Sequence, residues 1–109
     1  MNFIVNAGSN KRYNEVLFKN AAKSFIAIVQ FGTTERLLNN YLINKYKLPL
    51  IAACFRIIDQ AKYSFNGKNE MIISFPEKDI DKLASIITFG TGGKIQGSNI
   101  LKIAFGQEL

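Results

Sequence analysis

The chain has 109 residues, with 14 Lys and Arg against 8 Asp and Glu for a net charge of +6, 48% hydrophobic residues and no histidine. That is the size of one domain, 1–109, large enough to bury a core, and the composition is that of a globular protein. The missing histidine excludes a Ser-His-Asp triad, a Cys-His pair, an imidazole metal ligand and a histidine general base, while the lone Cys54 excludes disulfide frameworks and zinc knuckles.

Residues 1–7 read as a short first strand, closed by the turn-prone Ala7-Gly8-Ser9-Asn10. Its three consecutive apolar residues are too few for a signal peptide. Ser9 or Asn10 is placed to cap a helix over Lys11–Ala22. Phe25-Ile-Ala-Ile-Val-Gln-Phe31 is rich in β-branched and aromatic residues and predicts a second strand ended by Gly32. Thr33 as N-cap and Glu35 in the first turn open a helical face of Leu37, Leu38, Tyr41 and Leu42. Pro49 predicts a break or kink, after which Leu50, Cys54, Ile57, Ile58 and Ala61 recur at helical spacing until Asn66-Gly67.

Met71, Ile73 and Phe75 alternate as a strand ended by Pro76. Pro76 opens a helix with Glu77 and Asp79 in its first turn and Ile80, Leu83, Ala84 and Ile87 on its buried face. Gly90-Thr91-Gly92-Gly93 reads as a flexible loop, and Leu101, Ile103 and Phe105 as a closing strand or the start of a short helix. Ile28-Val29-Gln30-Phe31-Gly32-Thr33 returns as Ile86-Ile87-Thr88-Phe89-Gly90-Thr91, with four of six residues identical; the pair reads as two strand-to-turn exits. The elements together predict an α+β fold, a small, mainly antiparallel sheet packed on one long or kinked helix, residues 34–64, plus shorter helices.

Chemistry-bearing motifs are few. Gly93-Lys94 is followed by Ile95, which breaks both the phosphate-binding loop and the dinucleotide fingerprint. Glu77, Asp79 and Asp81 sit where a helix start favours negative charge, without the pattern of a calcium loop. Cys54 falls on an apolar stripe and reads as a buried small hydrophobe. No catalytic residue, metal site, cofactor or small-molecule substrate is expected. The longest strongly apolar run, 48–55, is far short of the roughly 20 residues of a membrane span.

Charge is uneven: residues 1–68 carry +7 and residues 69–109 carry −1. Lys11-Arg12 precede Tyr13, and Lys45 and Lys47 flank Tyr46, an interleaving that can hold a phosphate backbone while rings stack on bases. No RNA- or DNA-binding signature accompanies them, and solvated lysines on helix faces account for the same residues.

From Met71 to Phe105 the order is strand, Leu83-Ala84, the corner Ile87-Thr88-Phe89-Gly90-Thr91-Gly92-Gly93, then Ile100-Leu101-Lys102-Ile103-Ala104-Phe105. This order resembles the C-terminal end of the small head–tail connector and tail-completion proteins of long-tailed phages. The helix expected over Leu50–Tyr63 sits where that family places its long helix. The family's closing segment carries a proline that Asn99–Ile103 lacks, and residues 1–31 have no counterpart. The resemblance implies a non-catalytic ring subunit of the virion, found in the virion or the host cytoplasm. Its contacts would run to copies of itself and to neighbouring virion proteins through Phe89, Gly90, Thr91, Gly92, Gly93 and Lys94.

The alternative is a small basic nucleic-acid-binding protein using Lys11, Arg12, Lys45, Tyr46 and Lys47; a protein inhibitor with a charged face is a third reading. The alternative predicts a nucleic-acid affinity that falls steeply with salt and collapses in Lys45→Glu with Lys47→Glu. A filter-binding titration at two salt concentrations checks it, and unchanged binding by the double variant removes those residues from the interface.

Overall fold

Alternation puts Phe3 on one side of an extended segment and Ile4 on the other, and Asn2–Asn6 forms strand β1 of the computed structural model, which describes residues 1–6, 11–31, 48–66 and 69–109. β1 lies inside a four-stranded antiparallel sheet of order β2-β3-β1-β4, with β2 at Lys62–Phe65, β3 at Glu70–Ser74 and β4 at Gln107–Glu108. β3 runs beside β1 from Asn2 opposite Ser74 to Asn6 opposite Glu70, and β4 pairs through Phe3 with Glu108 and Ile4 with Gln107. This register turns Phe3, Met71 and Ile73 to one face, where all three are buried, and sets half-buried Ile4 opposite Ile72 on the other.

The expected α+β class, antiparallel sheet and several helices are present; of the long or kinked helix expected over residues 34–64, residues 34–47 lie outside the described ones. Among the described residues the helices are α1 (Lys11–Phe31), α2 (Leu48–Gln60), α3 (Glu77–Gly90) and α4 (Gly97–Phe105). The expected strand over Phe25–Phe31 is the last two turns of α1. There Ala22, Ile26 and Gln30 fall four apart and are buried together, so tertiary packing of a helical stripe overrides β-propensity. The expected cap at Ser9 or Asn10 and the helical face of Leu37, Leu38, Tyr41 and Leu42 lie outside the described residues.

Pro49 is the second described residue of α2, and the break or kink expected there turns on residues that lie outside the described ones. The stripe of Ile51, Cys54, Ile57 and Ile58 is buried as the spacing predicts. The helix ends at Gln60 rather than at Asn66-Gly67, and the chain turns into β2. Tyr63 fixes that exit by donating its hydroxyl to the Ile58 carbonyl at 2.7 Å. The hairpin from β2 to β3 closes with the Asn66 amide on the Glu70 carbonyl and Asn66 Oδ1 accepting the Glu70 amide.

α3 opens behind Pro76 with Glu77 and Asp79 in its first turn, as expected. Of the two readings of Leu101, Ile103 and Phe105, a closing strand or a short helix, the helix is the one that forms. The three residues belong to α4, which buries Ile100, Leu101 and Phe105 and leaves Ile103 69% exposed. The described part of the first segment of the sequence echo, residues 28–31, lies in α1, and the second segment runs from α3 into its cap, so neither is a strand.

Sheet and helices share one contiguous core in which Phe105 is fully buried, with ring centroids 5.0 Å from Phe75, 5.8 Å from Phe3 and 6.0 Å from Phe18. Truncating a ring at such a site leaves a cavity that close packing cannot refill. Phe105→Ala is expected to destabilise the fold by about 3–5 kcal/mol in urea unfolding, whereas exposed Ile103→Ala stays within about 0.5 kcal/mol.

Candidate functional site

The corner after α3 is built by a helix cap. The Gly93 amide donates to the Thr88 carbonyl at 2.9 Å and the Gly92 amide to the Phe89 carbonyl at 3.0 Å. These are the two bonds of a Schellman ending, which places the first residue past the cap in the left-handed region. That residue is Gly92 at φ 67°, followed by Gly93 at φ 78°. Thr91 Oγ1 adds contacts of 3.0 Å to the carbonyls of Ile87 and Thr88. The loop expected to be flexible is therefore a hydrogen-bonded turn.

The cap divides the six residues expected to form a contact loop. Gly90 is the last residue of α3 and is buried, facing α1: a Cβ on it would meet Gln30 Oε1 at 2.5 Å. Thr91 is half-buried within the cap, while Gly92, Gly93 and Lys94 are exposed. Phe89 is 75% exposed, a large apolar ring held in water at the end of a rigid helix. The two copies of the sequence echo meet here, since Gln30 of the first packs on Gly90 of the second.

Next to Phe89 lies an open groove of about 700 Å³, bordered by Ser85, Thr88, Gly93, Gln96 and Ser98. Thr88 joins its walls: its hydroxyl donates to the Ala84 carbonyl at 3.0 Å and accepts the Gly97 amide at 2.8 Å. The start of α4 is thereby capped by a side chain of α3. Only glycine fits at 97, because a Cβ there would overlap the Ala84 carbonyl. A second groove of about 200 Å³ separates α1 from α4, lined by Phe18, Ala21, Ala22, Phe25, Ile103 and Ala104.

Cys54 and Gln30 form a buried polar contact between α2 and α1, Gln30 Nε2 donating to Sγ at 3.5 Å. Burial pushes the thiol pKa up, against a smaller downward pull from the Gln30 hydrogen bond, so Cys54 stays a neutral thiol and a poor nucleophile. Sequence reasoning passed over Gln30, although its place four after Ile26 on a helical stripe was the available signal. Glu77 and Asp79 stand in the first turn of α3, and Asp81 is exposed in the next; among the described residues no group of three or more ligand-type side chains converges.

Lys11 and Arg12 begin α1, and Lys45, Tyr46 and Lys47 lie outside the described residues. Farther along α1, the cations are committed inside the molecule. Lys19 pairs with Glu15 at 3.3 Å and sits 4.7 Å above the Tyr63 ring, and Lys23 pairs with Asp59 beside Phe55. Burial raises the pKa of the Tyr63 phenol, and the charges of Asp59 and then Glu15 raise it further, so it remains protonated as the donor to Ile58. Among the described residues no helix is long and apolar enough to cross a membrane.

Comparison of the chain with protein-family models, with curated proteins and with solved structures returned no match.

The cap sets a prediction that separates backbone strain from crowding, since nothing lies within 4 Å of a Cβ built on Gly92. Gly92→Ala is expected to cost about 1–2 kcal/mol through left-handed geometry alone. Gly92→Asn, which tolerates that region, is expected to cost less in the same urea titration.

Proposed function

We propose that the chain is a non-catalytic structural subunit of a viral, phage-like assembly, of the head–tail connector or tail-completion kind. In this reading it forms a ring with copies of itself and docks on neighbouring virion proteins. The observation that carries the reading is Phe89, a phenyl ring 75% exposed at a corner whose backbone is fixed by the cap. Aromatic rings are the side chains most enriched at the buried centres of subunit contacts, and a ring held on a rigid element loses little conformational freedom on docking. Gly92 and Gly93 support it by keeping the turn beside the ring free of side chains, so a neighbour can approach the backbone.

The two helix ends that meet at Gly90 and Gln30 support the same assignment, because they brace the corner from within. Charge complementarity with an acidic neighbour would set register between a basic subunit and its partners. The place of such a protein is the virion or the host cytoplasm.

The reading predicts a discrete oligomer of several 12.2 kDa subunits by light scattering after size exclusion. Phe89→Ser is expected to shift that mass to the monomer while leaving the urea midpoint unchanged, because the removed ring is exposed. Gly90→Val is not a clean probe of assembly, since it collides with Gln30 in the core. A wild-type chain that stays monomeric as its concentration is raised, or a variant that assembles normally, counts against the proposal.

A further inference from the structure

We infer that residues 107–109 are an exchangeable strand: each copy of the chain lays its β4 on the β1 edge of a neighbouring copy, in the place that β4 takes within one chain. The inference rests on the assembly reading above and names the element that ties one copy to the next. What fits that edge is visible in the fold itself. β4 sits there with Glu108 opposite Phe3, Gln107 opposite Ile4 and the Leu109 amide on the Asn2 carbonyl at 2.8 Å. Every copy brings a strand of the same sequence, so the occupant needs no new chemistry.

Two features set β4 apart from the strands inside the sheet. β3 is anchored by Met71 and Ile73, both fully buried, whereas Gln107, Glu108 and Leu109 are all exposed, Leu109 by 65%. Lifting β4 off its own chain therefore draws none of its side chains out of the core. The bonds it gives up are main-chain bonds, and the same bonds form again on the next copy.

The second feature is a connection of one residue. α4 ends at Phe105, which the core holds, and the Gly106 amide still donates to the Lys102 carbonyl at 3.1 Å; β4 begins at Gln107. To turn back within that single step Gly106 takes φ 93°, where a Cβ would collide with the Val5 side chain and the Ile4 carbonyl. Short hinges of this kind invite exchange, because straightening the hinge releases the turn while the strand keeps its pairing.

Reach fixes where the copies meet. Residues 106–109 extended span at most about 14 Å, so donor and acceptor come together beside the end of α4. The strand that is given and the edge that receives it are different patches of one subunit. Passed in one direction they join copies head to tail, the contact from which rings are built.

The test places one cysteine on each side of the ladder in the full chain. Ile4 and Gln107 are paired, and a hydrogen-bonded antiparallel pair has Cα atoms about 5.5 Å apart, within disulfide reach. Ile4→Cys and Gln107→Cys are made as two separate proteins, unfolded together in urea, refolded and treated with oxidised glutathione. Neither chain can close a 4–107 bond alone, so that bond reports the strand of one copy on β1 of another; the native Cys54 is buried in both. The mixture is expected to give a covalent pair of 12.2 kDa chains on a non-reducing denaturing gel, with the 4–107 link identified by the mass of the joined peptides. Either variant treated alone is expected to lack that link. Should Ile4→Cys fail to refold, the exposed residues Asn2 and Leu109 supply the pair instead, as Asn2→Cys with Leu109→Cys.

An oligomer by light scattering that yields no such pair from either set overturns the inference, since β4 then stays on its own chain, and the assembly reading stands without it. A wild-type chain that remains monomeric and gives no covalent pair overturns both.

Discussion

The Phe105 ring is the point on which the two layers depend. It touches Phe3 from the middle of the sheet, Phe75 from the exit of β3 and Phe18 from α1, so one side chain of a nine-residue helix holds four elements together. A helix of that length has almost no stability of its own in water. α4 persists because its apolar side is spent on this cluster and because Thr88 and Gly97 clamp its start to α3. The positions of α3 and α4, and with them the corner that carries Phe89, follow from that junction.

Much of this was legible in the residues. The alternation of Met71, Ile73 and Phe75, the stripe of Cys54, Ile57 and Ile58, and the Pro76-Glu77 start each carry one period and one punctuation mark, and each formed as expected. Phe25–Phe31 did not, because a short run of β-branched and aromatic residues fits a buried helix as well as a strand, and only partners such as Gly90 and Cys54 decide between them. Leu101, Ile103 and Phe105 left strand and short helix open, and the helix forms: Ile100 and Leu101 are buried side by side, which a half-buried strand does not allow. The corner, expected as a flexible loop, is a hydrogen-bonded turn. Its glycines mark a helix cap, and the cap leaves Phe89 outside while drawing Gly90 in.

The cap and the exposed ring are linked by geometry. A Schellman ending requires a left-handed residue after the helix, and Gly92 supplies it without a side chain that would crowd the turn. The same turn reverses the chain within a few residues, so α4 packs back on α3 and Gly97 meets Ala84. Gln30 packs on one side of the last turn of α3, Thr88 bonds to the start of α4 on the other, and Phe89 projects from between them. Rigidity of that kind suits a docking residue better than a mobile loop does, since the cost of ordering is met when the chain folds.

The sheet order has a kinetic consequence. β1 is drawn from residues 2–6, yet its hydrogen-bonded neighbours come from residues 70–74 and 107–108, and the Met1 ammonium itself donates to the Phe75 carbonyl at 2.9 Å. Contacts between segments so distant along the chain require large loops to close before any pairing energy returns. The hairpin of β2 with β3 and the paired helices α3 and α4 close short loops, whereas β1 pairs only with distant segments and closes the longest ones. Without β1, one edge of β3 would be unpaired, and an open strand edge is where pairing with a wrong molecule begins.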